Sequence, residues 1–123
     1  MASPVTFQLK FGSLGPGNGY LNGPFGIAVD ASGNLWVADS LNRRIEEFDL
    51  NGNFLQTVSG VFSSPSPYSI AIDIAGDIWA ADYNLNEIFD FSSTGLLLFT
   101  TGTTGGAPGQ LFHPTCLAWG AIL

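Results

Sequence analysis

Charge is scarce in this chain of 123 residues. Only 11% of it is charged, and Lys10, Arg43 and Arg44 are its three basic residues against a net charge of −7. A nucleic-acid binder needs a basic patch to displace phosphate counterions. Two adjacent arginines do not make one, so DNA, RNA and anionic membrane surfaces are disfavoured as partners. Cysteine is nearly missing too. Cys116 stands alone, which excludes an intrachain disulfide. One cysteine and one histidine, His113, cannot supply the four ligands of a structural zinc site. No apolar run approaches the ~20 residues that span a bilayer. The longest stretch made only of large apolar residues, 96–99, reads as a strand. Residues 1–6 lack the basic region and apolar core of a signal peptide. By default these absences place the chain in the cytoplasm, or outside it if the chain is excised from a secreted protein. Helical periodicity is absent throughout.

What is present is apolar. Hydrophobic residues make up 46% of the chain, which excludes a disordered polymer. Such a chain must bury its strands on both faces or hide surface against another chain.

The sequence repeats itself. Pro24-Phe-Gly-Ile-Ala-Val-Asp30-Ala-Ser-Gly-Asn-Leu-Trp-Val-Ala-Asp39 lies over Pro67-Tyr-Ser-Ile-Ala-Ile-Asp73-Ile-Ala-Gly-Asp-Ile-Trp-Ala-Ala-Asp82 at an offset of 43 residues without a gap. The match continues through Ile45 and Ile88, Phe48 and Phe91, Gly52 and Gly95, Leu55 and Leu98. A second register joins the two ends: Gly12, Gly15, Gly19, Leu21 and Pro24 match Gly102, Gly105, Gly109, Leu111 and Pro114.

Each unit predicts four short strands. In the first they are 26–30, 35–38, 44–49 and 54–58. The turns between them carry Gly33, the loop Asp39 to Arg43, and Asn51-Gly52. The second unit repeats them around Ile70, Ile78, Ile88 and Leu96. A meander of such strands cannot bury both faces alone. Stacking sheet upon sheet in a radial array solves this, so the expected fold is all-β: a partial β-propeller of four-stranded antiparallel blades.

The residues resemble the NHL family over nearly the whole chain. Pro24, Gly26 to Asp30, Gly33-Asn34, Val37 to Asp39, Asn42, Arg44-Ile45, Phe48 and Gly52 fit its pattern, as does the Gly-rich lead-in Phe11 to Pro24. The second unit departs from it, with Ser69 for Gly26, Leu85 for Asn42 and Glu87 for Arg44. The third unit has only a first strand, Pro114 to Trp119, with Gly120 where an Asp belongs.

Several residues could carry chemistry. Asp39 and Asp82 end the second strands and could face a cation or a ligand. The stronger reading is that they accept from turn amides, with Arg44 as a further partner for Asp39. Asp30 and Asp73 read the same way, and neither segment matches a calcium loop. Arg43 is freer than Arg44, for which the resemblance implies an internal partner, yet it reads first as a solvated charge. His113 is the one general-base candidate near neutral pH, and a Cys116/His113 nucleophile pair is conceivable without any motif for it. Cys116 should point into a strand. Trp36 and Trp79 read as core between blades before they read as a ligand platform. The Gly-rich stretches lack the helix or Gly-Lys-Ser/Thr of a phosphate cradle. No cofactor or metal is expected.

Counted in strands, 5–11 is an outer strand, 24–60 and 67–102 are blades, and 114–120 is the first strand of another. A closed propeller needs at least about four blades. The expectation is a fragment of a longer propeller that self-associates through open faces and edges when alone. By analogy of fold, its function is a non-enzymatic scaffold for a protein, peptide or small ligand. The binding face would be the loops holding Asp39, Arg43, Asp82, Tyr83 and Asn86. The alternative is a fragment of a propeller lyase or hydrolase whose metal and catalytic residues lie in other blades. A third implication of the resemblance, RNA binding, meets an acidic chain.

Overall fold

A computed structural model describes residues 6–118 of the protein. It contains two antiparallel sheets, each a simple meander. The first holds β1 (Pro24–Val29), β2 (Leu35–Asp39), β3 (Arg44–Phe48) and β4 (Phe54–Ser59). The second holds β5 (Ser69–Ile72), β6 (Ile78–Asp82), β7 (Glu87–Phe91) and β8 (Leu97–Thr101). A 3₁₀ turn over Ser40–Asn42 is the only helical element among the described residues.

Four hairpin turns share one design. The residue that opens the turn is Asp30, Asp49, Asp73 or Ser92. Its side chain accepts from the amides two and four residues on, for instance Ser32 and Asn34 onto Asp30 Oδ1 at 2.9 and 3.0 Å. The fourth residue is always a glycine with φ between 83° and 87°: Gly33, Gly52, Gly76 and Gly95. A Cβ would strain that left-handed backbone, so the glycines fix where each strand reverses.

The sheets stack face to face. Trp36, Ala38, Ile45 and Val58 of the first meet Ile70, Ile78, Ala80, Phe89 and Phe91 of the second. Phe62, from the connecting segment, wedges between them with its ring 5.6 Å from Phe89 and 5.7 Å from Phe91. The approach is tightest at β1 and β5. A Cβ on Gly26 would lie 2.6 Å from the carbonyl oxygen of Tyr68.

The two Gly-rich lead-ins fold alike. Leu21 N donates to Ser13 O at 2.8 Å, and Leu111 N to Thr103 O at 2.7 Å. Parallel bridges join Leu14 to Leu21 and Thr104 to Leu111.

Two expected strands do not form among the described residues. Residues 6–11 have no ladder, and residues 1–5 lie outside the described part. Residues 114–118 also lack a ladder, while 119 and 120 again lie outside it. Neither segment pairs with an edge strand of the two sheets. Residues 114–118 nonetheless lie against the second sheet, where Leu117 N donates to Ser69 Oγ at 2.9 Å. Ser69 stands where Gly26 stands in the first unit, and its hydroxyl holds the next segment.

Candidate functional site

The β2–β3 loop of the first sheet and the β6–β7 loop of the second form one bonded ridge. Ser66 N donates to Ser40 O at 3.1 Å, and Tyr83 N donates to Ser66 Oγ at 3.1 Å. Ser40 Oγ donates to the carbonyl of Pro67. Ser66 therefore ties loop 39–43 to loop 82–86, and both serines are fully buried.

Asp39 and Asp82 are fully buried beneath this ridge. Asp39 accepts from Asn22 N (2.6 Å), Asn42 Nδ2 (2.9 Å) and Arg44 Nε (2.8 Å). Asp82 accepts from the amides of Ser63, Asn84 and Leu85 at 2.8, 3.0 and 3.0 Å. Each carboxylate thus anchors its own sheet's lead-in.

Arg44 completes the first anchor. Its guanidinium donates to the carbonyls of Pro16, Gly17 and Tyr20 at 2.7–2.8 Å and pairs with Glu46. The Gly-rich loop therefore turns carbonyls inward, the opposite polarity to a phosphate cradle. Burial pushes the Glu46 carboxyl above its ordinary value, against the pull of the Gly19 amide and Arg44. Lead-in 60–66 is shorter and has no such carbonyl cluster, which accounts for Leu85 and Glu87 at the counterpart positions of Asn42 and Arg44.

Arg43 and Asn86 occupy equivalent positions, both with left-handed backbone (φ 55° and 58°). Arg43 is exposed, and its side chain has no hydrogen-bond partner among the described residues. It borders a cavity of about 330 Å³ with Asn42, Ser59, Gly60 and Phe62. Asn86 is buried. Its Oδ1 accepts from His113 N at 2.7 Å, and its Nδ2 donates to Thr104 Oγ1 at 3.1 Å.

Tyr83 stacks on His113 at 4.0 Å and 10° between planes. The row continues to Tyr68 at 4.9 Å and from Tyr68 to Phe25 at 4.5 Å. His113 Nδ1 donates to Tyr83 O at 2.9 Å, which fixes its tautomer. The structure thus joins Tyr83 and Asn86 through His113, and leaves Arg43 apart from them. The ring row was not read from sequence, although Phe25 and Tyr68 are repeat counterparts and signalled half of it.

Cys116 is exposed, outside any strand, and its one hydrogen-bonding contact is the carbonyl of Leu117 at 4.0 Å. The expectation that it points into a strand fails with the strand. Trp36 and Trp79 also part company. Each indole N–H donates to the turn aspartate six residues before it, Asp30 or Asp73, at 3.0 Å. Trp36 is buried between the sheets, as expected. Trp79 lines an outward cavity of the second sheet instead. Burial opposes charge on Asp73, yet the Trp79 indole and the Asp77 and Ala75 amides together hold it below its ordinary value.

No protein-family model matches the chain. It is similar over short stretches to Protein lin-41 of Caenorhabditis elegans, 49% identical over 47 residues, 38% of this chain and 4% of that protein. It is similar to Protein brain tumor of Drosophila melanogaster, 42% identical over 50 residues, 41% of this chain and 5% of that protein. It also resembles E3 ubiquitin-protein ligase TRIM71 of Rattus norvegicus, 48% identical over 46 residues, 37% of this chain and 5% of that protein. The match spans 4–5% of the length of these curated relatives. Among solved structures, a streptogramin B lyase superposes with TM-score 0.56 at 22% identity, over 64% of this chain and 26% of that one. Kuenenia stuttgartiensis hydrazine synthase superposes with TM-score 0.60 at 16% identity, over 76% and 26%. At such identities the likeness is one of fold. The chain is a partial β-propeller, and its two sheets are blades.

No helix among the described residues is long and apolar enough to cross a membrane.

Proposed function

We propose that the chain is part of an NHL-type propeller and acts as a non-enzymatic scaffold that binds a protein or peptide on the ridge of its β2–β3 and β6–β7 loops. The observation that carries this reading is the Ser66 bridge, which makes two loops from different blades into one preorganised surface. Preorganised loops lose little entropy on binding. Asp39 and Asp82 serve as the buried posts of the ridge, and Asn86 as the clamp of the next lead-in. Arg43 and Tyr83 supply the contacts, a free guanidinium and a ring already held in a stack. Arginine and tyrosine are residue types that dominate interface energies. The short similarities to lin-41, brain tumor and TRIM71 support the NHL-type assignment, since they coincide with a chain built largely of repeats. The reading invokes no catalysis. His113 spends Nδ1 on a backbone carbonyl and its ring face on Tyr83.

The test is selection of displayed peptides on the immobilised chain, followed by affinity measurement on Arg43→Ala and Tyr83→Ala. Each substitution is expected to weaken selected peptides about tenfold or more, Arg43→Ala with the melting temperature unchanged and Tyr83→Ala with the modest fall that loss of its ring contacts brings. Selected peptides that bind both variants as tightly as the parent would refute the ridge as the binding face.

A further inference from the structure

The two segments that leave the blades differ in length. Matched positions lie 43 residues apart through the blades, but Pro67 and Pro114 lie 47 apart, so lead-in 103–113 is four residues longer than lead-in 60–66. The longer one closes over the end of loop 82–86. His113 N and Thr104 Oγ1 both bond the Asn86 side chain, and a Cβ on Gly102 would lie 2.6 Å from the Asn86 carbonyl oxygen. The shorter one leaves the counterpart of Asn86, Arg43, uncovered. A Cβ on Gly60 would meet nothing within 4 Å. The cavity of about 330 Å³ bordered by Asn42, Arg43, Ser59, Gly60 and Phe62 opens here. It lies at the junction of the two described blades, not on an outward face.

Arg43 is fixed in place yet unpaired. Before it, Asn42 Nδ2 is bonded to Gly15 O and to Asp39 Oδ2, both at 2.9 Å. After it, Arg44 is buried against Asp39 and Glu46. The Arg43 amide donates to Ser40 O at 3.2 Å, and the backbone is left-handed at φ 55° and ψ 47°. That conformation suits asparagine, the counterpart residue, and is costly for arginine. No side-chain hydrogen bond among the described residues offsets the cost, and strain of this kind clusters at ligand sites. The Arg43 guanidinium is the one charged group bordering the cavity. The Ser59 hydroxyl is a second donor there, because Asn42 Nδ2 is already committed and Phe62 is apolar.

We propose that this pocket receives a single carboxylate of a bound peptide, held by the Arg43 guanidinium. The inference rests on the ridge reading only for the ligand's being a peptide, and it names the chemistry of that peptide. A planar carboxylate matches the guanidinium fork. A phosphate dianion would set two charges against one cation in a chain of net charge −7. The same net charge disfavours a polyacidic partner, so the fit is to one carboxylate on an otherwise neutral segment.

The test titrates the ¹⁵N-labelled 123-residue chain with acetyl-Ala-Ala-Glu-Ala-Ala-amide and with its glutamine twin. The signals read are Arg43 Nε–H and the amides of Asn42, Ser59, Gly60 and Phe62. The glutamate peptide is expected to move them saturably and to bind about tenfold tighter than the twin. The glutamine peptide with a free C-terminus tells a terminal from a side-chain carboxylate, and tighter binding of either acid supports the proposal. Arg43→Asn should abolish the preference while the melting temperature stays level or rises, so that lost binding is not lost folding. Arg43→Lys keeps the charge without the fork and should retain only part of the preference. No saturable shift with either acid, equal binding of acids and neutral twin, or a preference that survives in Arg43→Asn overturns the proposal. Inorganic phosphate moving the same signals at lower concentration than either acid overturns it in favour of a phosphate site. The ridge reading has its own readout, whether Tyr83→Ala weakens both twins alike, so either reading can fail while the other stands.

Discussion

Arg44 holds two carboxylates and three carbonyls from a single buried position. Its removal strands Asp39 and Glu46 in the interior, and breaking a buried pair on one side costs about 3–5 kcal/mol. Arg44→Met is therefore expected to lose that much in urea unfolding. A loss under about 1 kcal/mol, typical of an exposed pair, would contradict the burial described. The tryptophans give a second comparison. Trp36→Ala empties the contact between blades and should cost about 3–5 kcal/mol. Trp79→Ala empties an open face and should cost clearly less, although both indoles make the same bond to an aspartate. Asp90 supplies a pH effect. Burial, then the charges of Asp77 and Asp73, raise its carboxyl above the ordinary 3.8. The folded state holds that proton more tightly than the unfolded chain, so Asp90 carries no penalty below 3.8. The penalty grows as pH rises through the raised folded value. Asp90→Asn should therefore melt higher than the parent at pH 7 and converge with it below about pH 4, which a series of thermal melts will show.

At the scale of elements, the turns were the most legible part of the sequence. An aspartate with a glycine three residues later marks Asp30, Asp49 and Asp73 by composition alone. The same turn at Ser92 follows from its glycine and a hydroxyl in place of the carboxylate. The eight strands were legible because the repeat doubles every signal. The terminal strands were not, because a ladder is a contact between segments, and the strand-like residues of 6–11 and 114–118 pair with no edge of the two sheets. The ridge was half legible. Sequence singled out Arg43, Tyr83 and Asn86. It could not show that Ser66 joins the loops or that His113 stacks on Tyr83, since both are contacts between units with no fixed spacing. Gly26 tests the seam between blades. Gly26→Ala drives a Cβ against the Tyr68 carbonyl and should cost about 1–3 kcal/mol, the range for overpacking. Neutral behaviour in unfolding would mean that β1 and β5 are further apart than described.

At the scale of the whole molecule, the described residues form two blades with one shared face and two outward ones. Phe25, Ile27 and Val29 of the first blade and Leu98 and Phe99 of the second are exposed. Contiguous apolar surface of this kind marks contact sites, and open strand edges add to the tendency. The net charge of −7 opposes self-association, and salt weakens that opposition. The claim that these faces are contact surfaces is tested most directly by the absolute mass in solution, from light scattering behind a sizing column, across concentration and salt. The account predicts a mass that rises above 13.0 kDa with both, and that returns toward it in Ile27→Glu. A mass of 13.0 kDa at every concentration and salt would contradict it and make the outward faces ordinary solvent surface.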